Sequence, residues 1–177
     1  MINRWSTDRS GPLFSCTGGF LSPSKGIEYA IKAWPAVLLS APQARLVVYG
    51  QPHPDIGAAY QRALDALVLS LGLQGSVFFL DARLSAGDLQ KLNAAADVAI
   101  FAHLDGRQRS SGTMILAMAA GSVPIATPFA QAEELLSAGG AGVLVPFKST
   151  EALAAAVVKL AREKGALEKV RLGRGVH

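Results

Sequence analysis

"DVAIFAHLDGRQRSSGTMILAMAAGSVPIAT", Asp97 to Thr127, carries the pattern on which the fold turns. Its first residues, "DVAIFA", form a short apolar run that reads as a strand buried on both faces. A polar loop, "HLDGRQR", comes next. Ser110, Ser111 and Gly112 then run into "MILAMAA", an apolar stretch that reads as a helix starting near Gly112. Gly121, Ser122 and Pro124 break that helix, and "VPIAT" reads as the next strand. From Ser110 to Ala132 no residue is charged, enough length to span a bilayer. The breaks make it a helix followed by a strand instead.

The same alternation extends in both directions. "LFSCT" is a β-prone run ending at Gly18 and Gly19. After "FLSPSKG", the residues Ile27, Ala30, Ile31, Trp34, Val37 and Leu38 recur at helical spacing. Pro35 falls inside that run and is expected to kink the helix or to begin a second piece. "RLVVYG" reads as a buried strand closed by Gly50. Tyr60, Leu64, Leu67, Val68 and Leu71 form one helical face, stopped by Gly72 where a terminating glycine is favoured. "SVFFLD" is a strand. Ser85 with Asp88 three residues later marks the start of the helix through Leu89 and Leu92. Beyond "VPIAT" lie a short helix near "AEELL", a last strand "GVLVP", and a final helix after Ser149 striped by Leu153, Val157 and Leu160. Strands apolar on both faces and separated by helices mean a parallel sheet covered on both sides. The predicted fold is α/β, a doubly wound, Rossmann-like parallel sheet of about six strands. Residues 1–12 read as an extension or linker, 13–163 as the domain, and 164–177 as a tail.

Composition narrows the function classes. At 177 residues the chain is one ordinary domain with enough length for a core. Hydrophobic residues make up 50% and charged ones 17%, which excludes a disordered chain. The net charge of +4 suits an anionic ligand without demanding one. No basic stripe interleaves with aromatics, so nucleic acid is not an expected partner. Cys16 is the single cysteine, which rules out a disulfide within the chain and fits a reducing cytoplasm. In the apolar run "LFSCT" it reads as a small buried hydrophobe. No basic-then-apolar leader opens the sequence, so secretion is not expected.

A doubly wound sheet binds ligands beyond the carboxyl ends of its strands, so the loops there hold the candidates. In "GGFLSPSKG" the glycines allow close backbone approach, and Lys25 beside a helix start suits a phosphate. The same residues also read as a turn with a surface lysine. The spacing is neither a dinucleotide fingerprint nor a Walker loop. In "DARLS", Arg83 lies over a flat ring or points into water. The helix starting near Gly112 leaves its first amides without intrahelical partners and its dipole positive at that end. Ser110, Ser111 and Thr113 add hydroxyls there, and Arg107 and Arg109 add charge. Together these read as a seat for a diphosphate.

The ordered set "GGFLSPSKGIEYAIKAWP", "ARLVVYG", "SVFFLD", "AAADVAIF", "SGTMILAMAAGSVPIATP" and "AEELL…GAGVLVPF" resembles the C-terminal half of a GT-B glycosyltransferase. Within that fold it is similar to the retaining family called group 1, over about residues 13–160. The resemblance implies a domain that binds a nucleotide-sugar donor such as a UDP- or GDP-hexose, with no metal required. The hexosyl group would pass to a glycan or lipid-linked acceptor held by a separate N-terminal domain. It implies that Gly19 and Lys25 match a glycine and a diphosphate-binding lysine. Ser111, Gly112 and Thr113 match the helix head that holds the distal phosphate, and residues 81–84, with Arg83, match the region contacting the base. Glu134 matches a glutamate before the last strand and reads as structural.

The departures are as specific. The motif's arginine is Phe20 here. The family's paired glutamates, eight residues apart, fall at Gln108 and Leu116. Gln108 retains a hydrogen bond to a sugar hydroxyl, whereas Leu116 retains none to a ribose. Losing such a bidentate carboxylate costs on the order of 1.5–3 kcal/mol per charged hydrogen bond. Arg107 and Arg109 are the candidates to replace the lost arginine. The acceptor half is not among these residues. The expected partner is therefore an N-terminal acceptor domain in the same or another chain, and an exposed cleft face favours self-association. The expected location is the cytoplasm, at the inner membrane surface when the domain is part of a full enzyme. The alternative is a degenerate α/β binding or assembly module without catalytic activity.

Overall fold

In the computed structural model, residues 13–80, 84–137 and 142–162 are described. They form a six-stranded sheet in the order β3-β2-β1-β4-β5-β6, with every pair of neighbours parallel. The strands are β1 Phe14–Gly18, β2 Arg45–Tyr49, β3 Val77–Leu80, β4 Val98–Phe101, β5 Val123–Ala126 and β6 Val143–Leu144. Between and after them run α1 Ile27–Ser40, α2 Gly57–Ser70, α3 Ala86–Ala95, α4 Gly112–Ala119, α5 Ala130–Ser137 and α6 Thr150–Arg162. The fold is the expected doubly wound α/β sheet.

The strands are apolar on both sides because each side meets its own layer of helices. Leu46 and Val48 of β2, with Val98 and Ile100 of β4, join the core formed with α1, α2 and α6. Val47 and Tyr49, with Ala99 and Phe101, alternate to the opposite side and pack with α3, α4 and α5. A period of two along each strand thus feeds both cores. Full burial of a large apolar side chain such as Leu46 or Ile100 contributes about 1.5–3 kcal/mol.

Local signals start and end the helices where expected. Gly72 takes φ +66° after α2. The Leu73 amide then donates to the Val68 carbonyl and the Gly72 amide to Leu69, a closing motif that relieves the orphan carbonyls. Ser85 caps α3 by accepting from the Asp88 amide, and Ser149 caps α6 by accepting from Ala152. Pro35 behaves otherwise. α1 runs unbroken through it, so no second piece begins there. Proline removes the hydrogen bond that residue 35 would give Ile31, but Ile27, Ala30, Ile31, Trp34 and Val37 are fully buried around it, and that packing outweighs one lost bond.

The charge-free stretch divides into α4 and β5, as its breaks require. Among the described residues no helix is long and apolar enough to cross a membrane. The strand order reverses between β1 and β4. The connection after β1 leaves toward the α1 layer and that after β4 toward the α4 layer, so the two loops part and open a crevice between them.

Candidate functional site

A groove of about 630 Å³ occupies that crevice. The loop after β1 lends Gly19, Phe20 and Lys25 to it; the end of β2 lends Tyr49, Gly50 and Gln51. Leu84 and Leu89 close one side, and Gln108 with Ser110, Ser111, Gly112 and Thr113 closes the other. Most of the sequence candidates therefore meet in one place.

Backbone without side chains lets these loops approach. Gly19 has φ +121° and Gly50 has φ +127°, both unfavourable for other residues. A Cβ on Gly50 would run into the Gly19 carbonyl oxygen. The two glycines press the β1 and β2 ends together and leave a floor of bare peptide. Lys25 closes a short 3₁₀ turn, Pro23–Lys25, just before α1. The turn is tied to the far wall by the Leu104 amide, which donates to the Ser24 carbonyl at 3.0 Å. A Cβ on Gly19 would lie 4.0 Å from Lys25 Cε and 3.9 Å from Thr113 Cγ2. Lysine, threonine and bare backbone thus converge on one spot. Burial lowers the Lys25 pKa from its ordinary value, because an ammonium out of water favours its neutral form unless an anion joins it.

The head of α4 supplies the other half. Ser111 is turned to structural use: its hydroxyl accepts from the Met114 amide at 3.4 Å, and its own amide donates to Gln131 Oε1 at 2.6 Å. The amides of Gly112 and Thr113 come next, and neither has a hydrogen-bond partner among the described residues. No atom of the described residues lies within 4 Å of a Cβ placed on Gly112. Lys25 is the one cation among the described residues that line the groove. The arrangement can hold an anion through a lysine, two free amides and the Thr113 hydroxyl, beside an apolar wall from Leu84 and Leu89.

Other candidates lie apart. Arg107 forms a forked pair with Asp105, Nη2 to Oδ2 at 2.9 Å, with its side chain 91% exposed. The partners hold each other's charge, raising the arginine pKa and lowering that of the carboxylate. Arg109 is exposed, and neither arginine lines the groove. Phe20 lines it with 61% of its surface exposed. Leu116 is half-exposed and does not line it. Glu134 sits exposed on α5. Arg83 lies outside the described residues. Cys16 is buried, and burial pushes its thiol up to about 12, which makes it core rather than nucleophile. Among the described residues no group of three or more His, Cys, Asp or Glu side chains is arranged to hold a metal.

In the sequence His103 reads only as part of a polar loop. It is almost fully buried. Its Nε2 lies 3.5 Å from Gln108 Nε2. Burial first, then the nearby charge of Lys25, push its pKa from 6.5 down to about 4. Tyr49 and Gln51 also line the groove, marked in the sequence only by the glycine that follows Tyr49.

A doubly wound parallel sheet with a groove at its switch point defines an open α/β architecture of the Rossmann type. Residues 11–163 match the family of glycosyl transferases group 1, and the chain belongs to that family. Its fold is that of the C-terminal domain of a GT-B glycosyltransferase of this group. It is similar to sucrose-phosphate synthase from Thermosynechococcus elongatus, with TM-score 0.83 and 23% identity over 97% of this chain and 41% of that one. Anabaena HepE in complex with UDP is similar at TM-score 0.81 and 22% identity, covering 97% of this chain and 48% of HepE. The C-terminal domain of LpcC, a group 1 glycosyl transferase from Francisella tularensis, gives TM-score 0.82 and 21% identity over 97% and 87%. The chain thus spans about two fifths to a half of the first two proteins. No curated protein sequence matches it significantly.

Proposed function

We propose that this domain is the donor half of a retaining glycosyltransferase, binding a nucleotide sugar such as a UDP- or GDP-hexose. One observation carries the reading. Lys25, the free amides of Gly112 and Thr113, and the bare backbone of Gly19 converge at the sheet's switch point. A diphosphate there meets a cation and a helix dipole together, without need of a metal. The sugar would extend toward Gln108, and the base toward Leu84 and Leu89. Anabaena HepE, of the same fold, has structures in complex with UDP and with UDP-glucose. Transfer of the hexosyl group to a glycan or lipid-linked acceptor requires an N-terminal acceptor domain to form the second wall of the cleft.

The test is titration of the chain with UDP, GDP and their sugars, by calorimetry and by chemical-shift mapping. Shifts should cluster at Gly19, Lys25, Gly112 and Thr113. Shifts clustered elsewhere would refute the site. A second reading, a degenerate binding or assembly module, draws on Phe20, Gln108 and Leu116, which stand where the family has charged groups. Absence of binding at millimolar nucleotide would favour it.

A further inference from the structure

Gln108 and His103 form a contact that neither the sheet nor the anion seat requires. The His103 carbonyl accepts from the Thr127 hydroxyl at 2.7 Å. Its ring meets Phe129 edge-on, with centroids 4.7 Å apart and planes at 79°. Backbone and ring are therefore both held. The Gln108 carboxamide nitrogen donates to the Ser110 carbonyl at 3.1 Å and sits 3.5 Å from His103 Nε2.

A carboxamide nitrogen has two N–H donors and no lone pair to offer. With one N–H on Ser110, the other faces Nε2, which must then be the ring's lone-pair nitrogen. The ring proton is on Nδ1, which is buried and has no hydrogen-bond partner among the described residues. That tautomer is costly on its own account. What it secures is the role of each end of Gln108: the nitrogen is held between two protein acceptors, and the oxygen of this groove-lining residue is the end available to a ligand. A neutral oxygen acceptor beside an anion seat repels phosphate and accepts from a hydroxyl.

We propose that His103 is a positioning residue that holds Gln108 as a hydroxyl acceptor for the sugar attached to the bound diphosphate. This rests on the donor reading above. The lowered His103 pKa agrees with it, since an imidazolium would set N–H against N–H and add charge beside Lys25.

Calorimetry compares UDP with UDP-glucose and GDP with GDP-mannose on the wild type, His103→Phe, His103→Gln, Gln108→Leu and the double variant His103→Phe/Gln108→Leu. The sugar should raise wild-type affinity about three- to tenfold, the worth of one neutral hydrogen bond. His103→Phe should abolish that gain and leave nucleotide affinity unchanged. His103→Gln, with its own carbonyl acceptor, should restore it. The double variant should bind no more weakly than Gln108→Leu alone, as coupled residues do. A sugar gain that survives in His103→Phe, or an equal loss for nucleotide and sugar nucleotide, overturns the proposal. If neither nucleotide binds the wild type, the donor reading fails and this one with it. Should His103→Phe not fold, nitrogen NMR of the wild-type imidazole decides: the proton belongs on Nδ1, and a proton on Nε2 overturns the assignment.

Discussion

Lys25 enters the groove half-buried, at the close of a turn, with no carboxylate paired to it among the described residues. Lys25→Ala should lower affinity for UDP or GDP about ten- to a hundredfold, the worth of one charge-assisted contact of about 1.5–3 kcal/mol. Its melting temperature should hold, since the ammonium supports no packing. Burial also means that Lys25 loses its charge below the ordinary lysine value of 10.5. Nucleotide affinity should therefore fall on the alkaline side before a free lysine would titrate, and this fall should vanish in the alanine variant. His103 has the opposite reach. The unfolded chain protonates near 6.5 and the folded one only near 4. Between those values the unfolded state binds more protons, so stability falls as pH falls, by about 3 kcal/mol across the window. Melting curves from pH 7 to 4 should slope less steeply in His103→Gln than in the wild type; equal slopes would contradict the assignment.

At the scale of the element, α4 has two separable jobs at its first turn. Ser111 works inward as its cap, and Gly112 presents backbone outward. Ser111→Ala should cost about 1 kcal/mol, or about 2–4 °C in melting temperature for a domain of this size, with little change in nucleotide affinity. Gly112→Val should do the reverse. Its Cβ meets no atom of the described residues within 4 Å, so the protein accommodates it, but the branched side chain stands where a phosphate would approach. Affinity should drop and melting hold; both measured on the two variants test the division. α1 shows how an element overrides a local rule. Proline inside a helix predicts a kink or a second piece, and tertiary burial of Trp34 and its neighbours keeps α1 in one piece.

At the scale of the whole molecule, the donor reading proposed above makes these residues one wall of a cleft. We expect the chain alone to show no transferase activity with any nucleotide sugar, because acceptor orientation and exclusion of water need a facing domain. Turnover by the purified chain would refute this. Supplying the acceptor half should restore it without changing the affinity measured for the nucleotide.

The rhythm of the elements was legible in the residues themselves. Apolar runs such as "RLVVY" and "DVAIF", and the helical stripe of Leu153, Val157 and Leu160, report burial through periods of two and 3.6, which neighbours in sequence determine. Caps are as local: Gly72, Ser85 and Ser149 act within five residues. Gly19, Lys25 and Gly112 could be named for the same reason, since bare backbone, a lysine and a helix head are local features. Their convergence was a matter of tertiary structure. Strand order places β1 beside β4, and only then do Lys25 and Thr113 stand across Gly19. The collision that reserves Gly50 for glycine arises between strands. Gln131 takes the Ser111 amide from twenty residues away, and Thr127 with Phe129 buries a histidine that its own loop marks as polar. Burial and long-range hydrogen bonding decide these outcomes, because their free energy depends on partners that a local window does not contain.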